Sequence, residues 1–562
     1  MKKVFLLLVL TVCAMAGFID PQLYAIISNS TDVELIPVFI LAHGQVDRSW
    51  VNSVTNSMDR SERQGFVATA LKEMAEVSQS GILAQLNSSG ATGITSLWLA
   101  NAVYCEASKS TIREIASRSD IILIEGAAGS DAGLSEPVDI HESTPEELEK
   151  GLAWGVEKIN ADDAWALGYE GQGIIVGVID TGVDYNHTDL ASNMWSDTQG
   201  YHGYDFYSND HYPMDDYGHG THCAGSVAGN GAAGTQTGVA PLAQIMALRI
   251  NYYSGGEYTW IQAMEYGVEN GASVLTMSLG SGQGNATLRT AEENLLTAGV
   301  FHAVCAHNDG PSTETIRSSA DSPPPWFHPD QTFHGGQSAV ISVGATNSSD
   351  VIASFSSRGP VVCWSDYTDS SPLIAPSISG PGVNVVSTQW NGGYTTMSGT
   401  SMATPHVAGV AALLLSANKY LTVAQLDSII EMTSLELGAT GKDNVYGAGR
   451  IDAYQAVLAA IEVGTEQAQG AVVPLALNIS AISPNPVGNF AAFSVYTDVT
   501  AVADISVFDV SGRRIANIET AEITSGANAY NWQIPGEMGS GIYFVRATIN
   551  GTTASSRMTV LR

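Results

Sequence analysis

Between residues 150 and 462, short runs rich in β-branched residues alternate with stretches of helical periodicity; the runs lie at 174–179, 243–249, 273–277, 300–306 and 340–343. These runs are apolar on both faces, so each strand must be covered from both sides. Parallel strands joined by crossover helices meet that demand, because the helices pack on both faces. The pattern therefore predicts an α/β domain, a parallel sheet flanked by helices. Outside this region the period changes. Residues 20–135 mix strand-like runs (33–41, 121–125) with helix-like ones (64–86, 111–117), and residues 479–562 alternate apolar and polar side chains between Gly/Asn turns. The last segment reads as a small all-β sandwich of Ig-like type. A loose acidic connector, 129–149, and a polar linker, 463–478, separate the three regions.

Composition narrows the function classes. Of the 562 residues 44% are hydrophobic and only 14% charged, which excludes a largely disordered chain. Lys+Arg 23 against Asp+Glu 56 leaves a net charge of −33, mostly within 150–462. Such a surface repels a nucleic-acid backbone, so no nucleic-acid partner is expected. Lys2 and Lys3, the apolar run 4–12 and Ala14-Met15-Ala16 have the order of a cleaved export signal, 1–16, which predicts a secreted or cell-surface protein. Beyond it Cys105, Cys223, Cys305 and Cys363 are too few for a disulfide scaffold; free thiols are the default reading, with a Cys305–Cys363 bridge left open.

Three segments of the α/β region carry chemistry. Val178-Ile179-Asp180-Thr181-Gly182 is a buried strand ending in an acid and a glycine turn. Gly218-His219-Gly220-Thr221-His222-Cys223-Ala224-Gly225 starts a helix with small residues that permit close packing. Gly399-Thr400-Ser401-Met402-Ala403-Thr404-Pro405-His406 leads into an apolar helix, 407–415. Acid, imidazole and hydroxyl each sit at an element end, where side chains converge in an open α/β sheet. A Ser hydroxyl becomes a nucleophile when a neutral imidazole takes its proton, and a buried carboxylate holds the imidazole's tautomer. Ser401 at a helix start gains from the helix dipole, and its own N–H can donate to an oxyanion. Asn308, after the strand 300–306, is placed in sequence to supply a second donor.

At these residues the chain resembles the subtilisin-like serine peptidases, in its bacillopeptidase F branch: the order Asp…His…Ser and all three flanking motifs match, over 150–462. The resemblance implies a serine endopeptidase acting on proteins and peptides, with Asp180, His219 and Ser401 as triad and Asn308 with Ser401 as oxyanion hole. Losing one oxyanion donor costs roughly 10²–10³ in turnover, a figure measured on subtilisin itself. It also implies that the backbone of Ser278, Leu279 and Gly280 lines the non-primed side of the substrate. Where the family usually has glycine before the oxyanion asparagine, this chain has His307. Arg317 falls in the segment that usually shapes the primary pocket, which would favour acidic substrate side chains, but it is read as a solvated surface side chain.

Residues 20–135 resemble the family's inhibitory propeptide, a ferredoxin-like α+β unit, which implies an intramolecular inhibitor and self-cleavage between 126 and 154. Residues 479–562 resemble the sorting domain of the type nine secretion system, through Ser483-Pro484-Asn485-Pro486, Val507-Phe508-Asp509-Val510-Ser511-Gly512-Arg513, Gly541-Ile542-Tyr543-Phe544 and the basic end Arg562. That match implies a partner in the secretion machinery and passage across an outer membrane.

Other chemistries were weighed on the same residues. An aspartic peptidase needs a second Asp-Thr/Ser-Gly, which is missing, and a zinc pair at His219 and His222 lacks a third ligand motif. No cofactor is required. Calcium is left open as a structural ion: Asp189 matches a family ligand, but Ala232 stands where an Asn side chain often coordinates. The competing function is a surface-attached binding protein with a vestigial peptidase domain.

Overall fold

Seven parallel strands run through the central region: β1 (Ile175–Asp180), β2 (Gly203–Asp205), β3 (Gln244–Arg249), β4 (Val274–Met277), β5 (Phe301–Cys305), β6 (Ile341–Thr346) and β7 (Ile378–Pro381), in the order β7-β6-β5-β4-β1-β3-β2. The computed structural model describes residues 17–562 apart from 45, 47, 56–57, 128–132, 149–150, 254–255, 323–339, 365–372, 469–476, 480–481, 483–486, 498–499, 510–512, 525, 537 and 550–551. The expected export signal and the Ser483-Pro484-Asn485-Pro486 motif lie outside the described residues.

The five strands expected from β-branched runs are all present. β2 and β7 were not foreseen: one is three residues long, and Ile378–Pro381 carries Ser, Gly and Pro. Their pairing is decided by neighbours distant in sequence, not by local propensity. On one face of the sheet Ile179, Leu248, Leu275 and Met277 join a core shared with the helices Glu257–Glu269 and Ala286–Ala298. On the other, the helix Thr400–Ala417 packs across β4 to β7 and against the helix His219–Ala228. Thr400–Ala417 is long and apolar enough to cross a membrane, but its hydrophobic side chains fill this core.

The N-terminal region forms a five-stranded sheet in the order Phe18–Ile19, Ile121–Gly126, Leu35–Ala42, Ala102–Ser108, Thr92–Leu97, with helices including Arg60–Ser89. That 30-residue helix begins four residues before the expected 64–86 because Asp59 and Glu62 close a capping box, and it ends at Gly90, φ 80°. The region sits on the central domain through Tyr104 stacked on Tyr258, ring centroids 4.1 Å apart. Glu125 accepts from the N–H of Ala286 and Thr287 at the start of the helix Ala286–Ala298, satisfying donors that a helix N-terminus leaves unpaired.

Two expectations on connecting segments fail. The described part of the acidic connector, 133–148, is ordered, with strands Gly133–Leu134 and Asp139–Glu142 and a short helix Pro145–Leu148, because each strand pairs with the edge of a distant element. The linker does not begin at 463 either, since the helix Ala453–Ala468 runs into it; Glu466, Gln467 and Ala468 are good helix formers. Residues 463–562 are a separate unit with two antiparallel sheets. One orders Leu477–Ile479, Phe490–Thr497, Gly526–Gln533, and the other Arg514–Ile523, Ala501–Asp509, Gly541–Ile549, Thr552–Val560. Alternate residues such as Val495, Ile505, Val507, Val545 and Ile549 form their common core.

Candidate active site

β1 ends at Asp180, and the helix that follows in space starts with His219. His219 Nδ1 and Asp180 Oδ1 are 2.7 Å apart, both side chains fully buried. The helix can approach this closely because residue 220 is glycine: a Cβ there would lie 2.1 Å from the Gly182 carbonyl oxygen. Asp215 fixes the helix start. Its buried carboxylate accepts from the N–H of Tyr217, Gly218 and Thr221 and from the hydroxyls of Thr181 and Thr221. The Thr181 N–H in turn donates to Asp180 Oδ1. Asp215 was not anticipated; the signal available was an acid three residues before the helix-opening glycine.

Burial works against charge on the His219 imidazole, but the facing Asp180 carboxylate, with a further contribution from Cys223, outweighs it and holds the pKa well above the usual histidine value. The remaining nitrogen, Nε2, is buried with no partner. Cys223, one turn on, places its Sγ 3.9 Å from His219 Nδ1 and 3.6 Å from the Ser401 carbonyl oxygen, so imidazole and serine share one packed shell. Asp180, His219 and Cys223 are also the one group among the described residues whose donor atoms could gather on a metal ion. His222 is not part of it. Its Nε2 meets the Val385 carbonyl and burial lowers its pKa to about 3, so the zinc pair is not assembled.

Ser401 is the second residue of the helix Thr400–Ala417 and is wholly buried. What buries it is the connector. Strand Gly133–Leu134 pairs antiparallel with Leu279–Gly280, the Ser135 N–H donates to the Ser278 carbonyl (3.2 Å), and Asp139–Glu142 pairs with Tyr394–Ser398. Between these two anchors the Ser401 hydroxyl donates to the Ser135 carbonyl oxygen at 2.7 Å. The strand Leu279–Gly280 and the Ser278 carbonyl thus hold an extended chain. Asn308 Oδ1 accepts from the Thr400 N–H and hydroxyl, both at 2.9 Å, which aims its Nδ2 at the connector, where it donates to the Glu136 carbonyl. Glu136 also accepts from the Tyr217 hydroxyl. The five elements bring Asp180, His219, Ser401, Asn308 and the 278–280 segment to one cleft.

Comparison with known proteins agrees with this geometry. Residues 171–449 match the family model described as the subtilase family. Thermitase of Thermoactinomyces vulgaris is 35% identical over 308 residues, 54% of this chain and 95% of the relative. Subtilisin E of Bacillus subtilis is 34% identical over 316 residues, covering 54% and 71%. The chain belongs to the subtilase family. It is a serine-type endopeptidase, and its residues 481–561 match the secretion system C-terminal sorting domain.

Within this subtilase three expectations are corrected or refined. Asp189 has both carboxylate oxygens taken by donors, Oδ1 by the Ala233 N–H (2.5 Å) and Oδ2 by the Tyr394 hydroxyl (2.7 Å). With an N–H and an O–H turned toward it, that set does not fit calcium, which needs six or more oxygens facing inward. Arg317 is not a free surface side chain: it is bonded to Asp309, Nε to Oδ2 at 2.5 Å, beside Gly280. Cys105, Cys223, Cys305 and Cys363 are all unbridged.

Proposed function

We propose that this chain is made as a self-processing precursor of a secreted endopeptidase. Residues 20–135 act as a ferredoxin-like inhibitory propeptide, and the C-terminal Ig-like sandwich is read by a type nine secretion machinery. The observation that carries the reading is the connector laid through the cleft as a substrate would lie, its Ser135 carbonyl 2.7 Å from the Ser401 hydroxyl.

In the proposed reaction His219 takes the Ser401 proton through Nε2 as the hydroxyl oxygen attacks a peptide carbonyl carbon. Asp180 holds Nδ1–H and stabilises the imidazolium. The oxyanion is held by Asn308 Nδ2 and the Ser401 N–H at the positive end of the helix Thr400–Ala417. His219 then returns the proton to the leaving amine, and water repeats the sequence on the acyl-enzyme. The first substrate is the bond between Ser135 and Glu136, and later ones are extended segments of other proteins pairing with 278–280. Complete motifs, all converging on one cleft, favour this over a vestigial peptidase.

The test is the intact mass of the full chain, without residues 1–16, against Ser401→Ala. Wild type is expected to lose mass by a cut after Ser135 while Ser401→Ala stays whole. Both chains whole, or both cut, would overturn self-processing.

A further inference from the structure

The family resemblance leaves one residue unexplained. His307 stands directly before Asn308 with φ 84°, a left-handed backbone that glycine adopts without strain and histidine does not. A side chain kept at a strained position next to the reacting atoms points to a use for that side chain.

Its surroundings indicate the use. Ser135, whose carbonyl meets Ser401, lies between the Ser278 carbonyl that leads into the strand Leu279–Gly280 and Cys305, two residues before His307. It is fully buried, with its hydroxyl 3.5 Å from Thr400 Oγ1 and in polar contact with Cys305. The His307 ring lies against Gly280: a Cβ built on Gly280 would lie 2.6 Å from His307 Cδ2 and 3.2 Å from Nε2. Asp309 holds the ring by Nδ1 at 3.1 Å and is itself held by Arg317, whose Cβ also borders Gly280. Nε2 is left buried and without a partner. Gly280 and His307 are therefore complementary: the imidazole fills space beside Gly280 that a glycine at 307 would leave open.

We propose that His307 is a specificity-determining residue that shortens the primary pocket, so that this peptidase cuts after small side chains, glycine, alanine and serine. The proposal rests on the peptidase reading above and adds the substrate class. Arg317 does not turn the pocket toward acidic residues, because Asp309 already neutralises it.

The processed enzyme is to be assayed on peptide p-nitroanilides that differ only in the last residue: Ala, Ser, Leu, Phe or Glu. Wild type is expected to show kcat/KM for Ala and Ser at least about tenfold above Leu and Phe, the scale on which pocket volume discriminates. His307→Gly is expected to raise Leu and Phe by about tenfold or more relative to Ala. Should that variant fold poorly, His307→Ala reads the same ratio. Within the precursor, Ser135→Phe is expected to slow self-cleavage, and adding His307→Gly to restore it. Equal rates on Ala and Phe in wild type, a preference for Glu, or an unchanged ratio in both His307 variants would each overturn the proposal while leaving the peptidase reading intact. No hydrolysis of any of the five would overturn both.

Discussion

His219 sets the pH dependence of the proposed reaction, because only the neutral imidazole can accept the Ser401 proton. Asp180, 2.7 Å away, stabilises the protonated form and raises the pKa, and this outweighs the effect of burial. A raised base pKa moves the acid limb upward. kcat/KM is therefore expected to climb about tenfold per pH unit below a limb that lies above the ordinary histidine range, with the enzyme most active in alkaline solution. A pH–rate profile on a neutral peptide substrate checks this, and a limb at or below pH 6 would contradict it. At this scale the sequence was most legible. Asp180, His219, Ser401 and Asn308 lie in short motifs whose residue types are demanded by the chemistry. Asp215 was less visible, because an acid that caps a helix acquires that role only from what it packs against.

Among the elements, the helix Arg60–Ser89 does more than cover its own sheet. Its first turns reach the central domain: Arg60 donates to the carbonyls of Gly299 and Leu421, Arg63 to that of Thr297 and Gln64 to that of Ala272. Arg60 is half-buried, and desolvation, with Arg63 beside it, lowers its pKa to about 10. Bonds from a charged donor contribute about 1.5–3 kcal/mol each, and removing one leaves buried carbonyls unpaired. Arg60→Ala is expected to weaken retention of the cut N-terminal region by about 2 kcal/mol, near thirtyfold. The readout is the lag between connector cleavage and full activity. A lag unchanged in Arg60→Ala would show that the cleft strand alone holds the inhibitor. Periodicity revealed this helix but not its task, since carbonyls 208 and more residues away leave no trace in local pattern.

For the whole molecule, docking of the N-terminal region is expected to be coupled to a proton. The Leu99 N–H donates to Glu265, which docking buries; burial, aided by Glu269, raises its pKa to about 8 against the opposing pull of that bond and of Lys72. A carboxyl whose pKa is raised on docking takes up a proton as it docks. Its contribution is complete below about pH 4.5 and is lost as pH rises through about 8. Release of the cut region is therefore expected to quicken between pH 6 and 9, and Glu265→Gln to flatten that dependence. Co-elution of the two pieces after Ser401 is blocked by a serine-reactive inhibitor measures it; identical pH profiles for wild type and variant would refute the coupling.

The chain's own order of residues determined the α/β sheet, the alternating C-terminal strands and the chemistry of the central cleft, because periodicity and reactive residue types are local properties. Tertiary structure decided the rest. The acidic connector became two strands only through pairing with Leu279–Gly280 and Tyr394–Ser398. Asp189 became a partner of Tyr394, 205 residues away, instead of a cation ligand, and His307 became a pocket wall because Gly280 left room for its ring. Each is a contact between segments far apart in sequence, and its energy exists only once the fold has brought them together.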